Sequence, residues 1–236
     1  MPEPLPVSQV ESGPHAGIVV VRLEQPGKPV VVLEQELIQR LEATLNAVPK
    51  TARGLVLASA SERVFVAGAD LQAIQALNDD QLARYLAYAA RVFGMLAMFP
   101  FPTCAAINGA ALGGGLELAM HCDGLVAAPP PNQPDGSPGR AYPVGLPEAG
   151  LKICPGWGGT NMLPARMDPE QAIRMTAAGM PMTFPHACEA GVFDAVAPAS
   201  DALLKTAMEW INAKAARGRL ERDGAPSRWI GRPANA

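Results

Sequence analysis

The most constraining feature of this chain is a run of three glycines, Gly113-Gly114-Gly115, inside the stretch from Pro102 to Asp123, PTCAAINGAALGGGLELAMHCD. Thr103 to Ile107 is a short apolar run bounded by Pro102 and by Asn108-Gly109, which predicts a buried strand ending at a tight turn. Leu116, Leu118, Ala119 and Met120 then suit a helix whose first turn falls on the glycines. Each glycine there costs roughly 0.5–1 kcal/mol relative to alanine, so the run implies that something approaches this backbone closely. A helix start leaves its first amide N–H groups without partners and carries the positive end of the dipole, so it can hold developing negative charge. Glu117, three residues beyond Gly114, lies on the same face. An anion-holding amide and a carboxylate would then face one small volume. Tight helix–sheet packing with Glu117 in solvent fits the same residues, so this stretch alone leaves both readings open. A dinucleotide-binding loop fits poorly, because the glycines are not in the G-x-G-x-x-G order and no acidic residue follows a second strand about 20 positions on. The G-x-x-x-x-G-K-[ST] pattern is missing too.

At 236 residues the chain suits one substantial domain with a full core. A hydrophobic fraction of 49% with 17% charged residues predicts a globular, soluble protein. The net charge is −3 and the arginines are scattered rather than striped, which argues against nucleic acid as a partner. Cys104, Cys122, Cys154 and Cys188 lie far apart with no C-x-x-C, a pattern of free thiols in a reducing compartment. The N-terminal segment MPEPLPVSQVESGP has neither the basic nor the apolar region of a secretory leader, and no run approaches the roughly 18 apolar residues of a membrane span. A cytoplasmic location is the expectation. His15, His121 and His186 form no cluster with acidic residues, so no metal site is legible.

Residues 1–16 read as a frayed, Pro-rich lead-in. Gly17 to Leu23 and Gly54 to Ser59 read as buried strands, and Val64 to Val66 as a shorter one. Leu37, Leu41, Leu45 and Val48 recur at helical spacing from about Glu34, with Pro49 as the stop. Leu71 opens a helical turn after Ala67-Gly68-Ala69-Asp70. Asn78 or Asp79 caps a longer helix carrying Leu82, Leu86, Ala89, Val92, Phe93 and Leu96. Strand, helix, strand, helix with buried strands predicts stacked β–α units. After a strand at Leu125 to Ala128, Pro129 to Pro143 has six prolines and two glycines and reads as an exposed loop. Asp168 with Pro169 opens a helix ending at Gly179, and a last helix runs from about Asp201 to Ala216. The charged segment from Arg217 on is expected at the surface or on a neighbouring subunit.

Three segments, taken together and in this order, resemble the crotonase superfamily, most closely the enoyl-CoA hydratases and the hydratase part of bacterial multifunctional fatty-acid oxidation proteins. They are Phe65-Val66-Ala67-Gly68-Ala69-Asp70, then Asn108 to Ala119, then Gly145-Leu146-Pro147-Glu148 with Pro155-Gly156-Trp157-Gly158-Gly159-Thr160. The resemblance covers about Gly17 to Pro198. It implies an α/β fold, a spiral of β–β–α units over residues 17–198 with 129–143 as an inserted surface loop. Residues 199–236 would form a short C-terminal helix and tail. It further implies hydration of a trans-2-enoyl-CoA to a 3-hydroxyacyl-CoA, as in fatty-acid β-oxidation. The amides of Ala67 and Gly114 would form an oxyanion hole, Glu117 and Glu148 would exchange protons, and the amide of Gly156 would hold the attacking water. Gly68, Ala69, Asp70 and Lys28 fall at substrate-binding positions, Asp70 reading as structural, ordering the loop that presents the Ala67 amide, and Lys28 as a solvated lysine or a contact to the coenzyme A phosphates. Trp157 reads as packing. No cofactor is implied beyond the coenzyme A of the substrate. The implied partners are the acyl-CoA thioester and further copies in a homotrimer or hexamer, with fatty-acid oxidation enzymes as a further association and no membrane or nucleic acid.

The chemistry accounts for each residue type. Enolate charge builds on the thioester oxygen, which pre-aimed N–H donors stabilise. Water must lose a proton as C3 is attacked while C2 gains one, which calls for two carboxyl groups. Four departures from the family pattern stand out: the inserted loop, Val30 to Leu33 in place of a polar turn, Lys152 in place of a glycine, and a C-terminal region shorter than is typical. Two other functions stay open at this point, an enoyl-CoA isomerase, which needs one carboxylate, and a non-catalytic subunit that binds acyl-CoA or a partner.

Overall fold

The computed structural model describes residues 2–216, so the segment from Arg217 on, expected at the surface or on a neighbour, lies outside the described residues. In chain order the elements are β1 (Val7–Gln9), β2 (Ile18–Leu23), α1 (Gln35–Ala47), β3 (Gly54–Ser59), β4 (Val64–Val66), α2 (Leu71–Gln75), α3 (Asp79–Gly94), β5 (Thr103–Ile107), β6 (Ala110–Leu112), α4 (Gly114–Met120), β7 (Gly124–Ala127), β8 (Pro143–Gly145), α5 (Gly159–Met162), α6 (Pro169–Ala178), β9 (Met182–Thr183), α7 (Phe184–Glu189), β10 (Ala195–Val196) and α8 (Leu203–Ala216). A six-stranded sheet has the order β1-β2-β3-β5-β7-β10, and a smaller one the order β4-β6-β8-β9. Pairing is parallel except for β1 with β2 and β8 with β9. This is the expected α/β architecture, in which successive units alternate between a long and a short sheet.

Strands β3, β5 and β7 of the large sheet are buried along their whole length and almost wholly apolar because both of their faces are covered. Val19, Val21, Leu55, Leu57, Ala105 and Ile107 face the main core, while Ile18, Val20, Val56, Cys104, Ala106 and Val126 face Leu203, Ala207 and Ile211 of α8. Helix α8 lies so close to the sheet that a β-carbon on Gly124 would sit 2.5 Å from the Trp210 ring. The helix ends follow from the sequence. Asn78 and Gln81 form a reciprocal capping box at α3, and Asp168 caps α6, which closes on Gly179 in the left-handed region at φ 62°.

Two expectations are corrected. The lead-in is not frayed: β1 pairs antiparallel with β2, Leu5 is buried, and Arg40 donates to the carbonyls of Glu3 and Pro4. Its alternation is weak because β1 is an edge strand whose three residues are all exposed. The inserted loop is exposed at its tip but ends one residue sooner than expected, since Pro143 begins β8. Tyr142 is buried and its hydroxyl donates to Ala128 O at 2.7 Å, closing the loop at its base. Inside the loop, Gln133 N donates to Ser137 O and Asp135 accepts from Ser137, so few of its polar groups depend on the rest of the protein.

Among the described residues Lys152 is the one non-glycine residue at positive φ, 62° with ψ 30°, where it closes the short 3₁₀ turn Glu148–Leu151. The left-handed conformation costs an L-residue roughly 1–2 kcal/mol, which exceeds the roughly 0.5–1 kcal/mol of backbone entropy that glycine loses on folding. Since the Lys152 side chain is exposed, Lys152→Gly is predicted to raise the melting temperature by a few degrees and Lys152→Val to lower it. A drop for the glycine variant in thermal denaturation would refute the strain.

Candidate active site

The glycine run ends β6 and starts α4, and each of its members is crowded by a different neighbour. Gly113 has φ 52°, and a β-carbon there would sit 2.7 Å from Glu148 Oε1. One on Gly114 would meet the six-membered ring of Trp157, with Cε3 2.8 Å away, and one on Gly115 would lie 2.5 Å from Val66 O. The cost of three glycines is thus offset by three close approaches: a carboxylate, an indole and the strand β4. Gly113 N donates to Gly145 O at 2.9 Å, which ties the start of α4 to the end of β8 and so to the turn that carries Glu148. Gly114 is the first residue of α4, where the N–H has no carbonyl one turn back to bond.

Glu117 is 1% exposed. Its Oε1 accepts from Trp157 N and Gly159 N, both at 2.8 Å, and the Gly156 amide also favours its charged form. Burial raises its pKa, and the three amides oppose that rise. Glu148 is 7% exposed, and its Oε2 is buried with no hydrogen-bond partner among the described residues. Its pKa is pushed up to about 7, first by burial; its own backbone amide lowers it and the charge of Glu117 raises it further. Two buried glutamates thus differ in proton affinity because one has an amide cradle and the other has not.

Both carboxyls line one cavity of about 830 Å³, together with Gly68, Ala69, Gly113, Gly114 and Gly156. Its apolar wall comes from Leu71 and Ile74 of α2, Leu82 and Leu86 of α3, and Leu112 and Trp157. Trp157 is core as expected: its Nε1 donates to Leu86 O at 3.2 Å and its ring meets Phe93 and Tyr85 edge-on.

Ala67 also lines the cavity, but its amide is corrected as an oxyanion donor, since that N–H donates to Val31 O at 2.9 Å. Two residues on, the chain bridges Leu33: Leu33 N donates to Gly68 O at 2.8 Å and Asp70 N to Leu33 O at 3.4 Å. In a parallel bridge the middle residue turns its own N–H to the opposite edge, so the amide of Ala69 faces away from Leu33. The sequence places the loop but not which amide is spent, because that depends on Val31 and Leu33, which come from a distant part of the chain. Asp70 does order its loop, its Oδ1 accepting from Gln72 N and Ala73 N at 3.0 Å as the cap of α2. Lys28 pairs with Glu34 and stands outside this cavity, in an adjoining surface recess that it shares with Ala69, Asp70 and Leu71.

His121, unused by the sequence reading, is joined to the same cluster through Trp157. Its spacing of four from Glu117 on one helix is the signal that could have pointed to it.

The comparisons with known proteins agree with this geometry. The family model for enoyl-CoA hydratase/isomerase matches residues 13–221. A crystal structure of an enoyl-CoA hydratase from Bacillus anthracis is 30% identical with a TM-score of 0.74, over 90% of this chain and 77% of that one. The structure of Pseudomonas aeruginosa DspI is 26% identical with a TM-score of 0.75, over 96% of this chain and 90% of that one. With two buried glutamates and a glycine-run helix start set on this fold, the chain belongs to the enoyl-CoA hydratase/isomerase family of the crotonase superfamily.

Proposed function

We propose that the chain is an enoyl-CoA hydratase that adds water across the double bond of a trans-2-enoyl-CoA thioester. The observation that carries this reading is the pair of buried glutamates of unlike proton affinity in one cavity beside the open amide of Gly114. The thioester oxygen is received by the N–H groups of Gly114 and Ala69, which replace the pair expected from the sequence. As water attacks C3, charge moves onto that oxygen, and donors fixed in advance lower the barrier without reorganising. Glu117, whose charged form its amides favour against burial, takes the proton from water. Glu148, poised near neutrality with Oε2 uncommitted, delivers a proton to C2. The oxygen of water bonds to C3, one of its protons goes to Glu117 and the proton of Glu148 goes to C2, so the balance closes once the carboxyls re-equilibrate.

Two tests follow, both with crotonyl-CoA and loss of enone absorbance. Glu117→Gln and Glu148→Gln are each expected to lower hydration by roughly 10²–10⁴-fold, and the double variant by much less than the product. If one variant keeps most activity while a 3-enoyl-CoA is still isomerised by the wild type, the isomerase reading replaces this one. The pH profile has a definite sign. Glu148 must be protonated to donate, so kcat/KM is expected to fall as pH rises through about 7, and Glu148→Gln should abolish that limb. A profile rising through that range would contradict the assignment.

Gly113→Ala probes the same corner without touching a carboxyl. Its backbone conformation would cost a side chain about 1–3 kcal/mol, and the new methyl would displace Glu148. Both turnover and thermal stability are expected to fall, and wild-type turnover would show that Glu148 need not sit where it does.

A further inference from the structure

Resting on the reading above, we infer that His121 is a positioning residue, whose ring N–H holds the Pro155 to Gly159 turn so that its amides stay aimed at Glu117. Three hydrogen bonds form a closed circuit. His121 N donates to Glu117 O at 3.3 Å, His121 Nε2 bonds Trp157 O at 3.1 Å, and Trp157 N donates to Glu117 Oε1 at 2.8 Å. The circuit begins and ends on Glu117 and joins helix α4 to a turn some 40 residues further along the chain. A carbonyl oxygen only accepts, so His121 Nε2 carries the proton in this bond. The ring is further fixed by Phe93 of α3, edge-on at 5.9 Å between centroids. Burial keeps the imidazole in its neutral form, with a pKa below the ordinary histidine value, and the Trp157 carbonyl opposes that shift.

The consequence for chemistry lies at Glu117. Two of the three amides that favour its charge, Gly156 and Trp157, immediately precede the carbonyl that His121 holds, and the third, Gly159, follows within the same turn. No other part of the described circuit anchors the Trp157 carbonyl to α4. Releasing it lets the turn tilt and lengthens the bonds to Oε1, which leaves Glu117 more protonated at a given pH and a poorer base. Glu148 is the other titratable group facing Glu117, so its titration has to be followed alongside.

The test uses His121→Phe, which keeps an aromatic ring against Phe93 but has no donor, and His121→Gln, which keeps one. The readout is the carboxyl titration of Glu117, followed by carbon-13 NMR of glutamate-labelled protein and assigned with Glu117→Gln, together with kcat and KM for crotonyl-CoA. In His121→Phe the Glu117 pKa is expected to rise by about half to one unit, the worth of one hydrogen bond, with kcat falling several-fold and KM little changed. His121→Gln is expected to restore most of both. An unchanged Glu117 titration in His121→Phe, or no restoration by glutamine, overturns the inference even if stability falls. Should His121→Phe fail to fold, the wild type decides by itself, since nitrogen-15 NMR must find the proton on Nε2 of His121, and a proton on Nδ1 alone overturns the proposal. The carboxyl titration needs no turnover, so a protein that proves not to be a hydratase still reports on His121.

Discussion

The site depends on one electrostatic constraint: a carboxylate, Glu117, removed from water and compensated by backbone N–H groups alone. An ionised carboxyl buried without partners would take up a proton instead, so the amides of Gly156, Trp157 and Gly159 decide whether this group can act as a base. Backbone donors suit the task because they belong to a turn fixed by hydrogen bonds at both ends, His121 to Trp157 O on one side and Asn161 N and Met162 N to Gly158 O on the other. They bring no counter-charge, and the charge of Glu117 adds to burial in raising the proton affinity of the second carboxyl, Glu148.

The glycine run converts that constraint into geometry. Gly113 admits Glu148, Gly114 admits the indole that carries an amide to Glu117, and Gly115 lets the helix lie against Val66. The same three residues leave the first N–H of α4 open to a ligand oxygen. Stability given up at the helix start is recovered in packing, since Trp157 is 5% exposed and Leu116, Leu118 and Ala119 are fully buried.

Much of this was legible in the sequence because short-range patterns carry it. Apolar runs between turn residues locate β2, β3, β5 and β7, and the capping residues Asn78 and Asp168 locate α3 and α6. The strands β6, β8 and β9 are two or three residues long and, unlike the solid apolar run Val64 to Val66 of β4, consist of small, Pro, Gly or Thr residues among the apolar ones, so they exist through pairing with each other. That something approaches Gly113 to Gly115 closely could be read from residue type, but whether Glu117 faces the same volume or solvent could not, since both fit its spacing. Which amide near Ala67 is open could not, because Val31 and Leu33 settle it from 36 residues away. His121 was passed over for a related reason: its partner is a backbone carbonyl, which leaves no trace in side-chain composition. The inserted loop was visible as composition, but its closure by Tyr142 on Ala128 was not.

Water addition is the central claim, and isotope transfer tests it most directly. Purified protein is incubated with crotonyl-CoA in water enriched in oxygen-18, and the thioester products are analysed by mass spectrometry. The account predicts 3-hydroxybutyryl-CoA with a single oxygen-18 in the hydroxyl group at C3, formed by the wild type and nearly lost in Glu117→Gln. Unlabelled thioester throughout, whether the double bond has moved or the substrate is only bound, would contradict it.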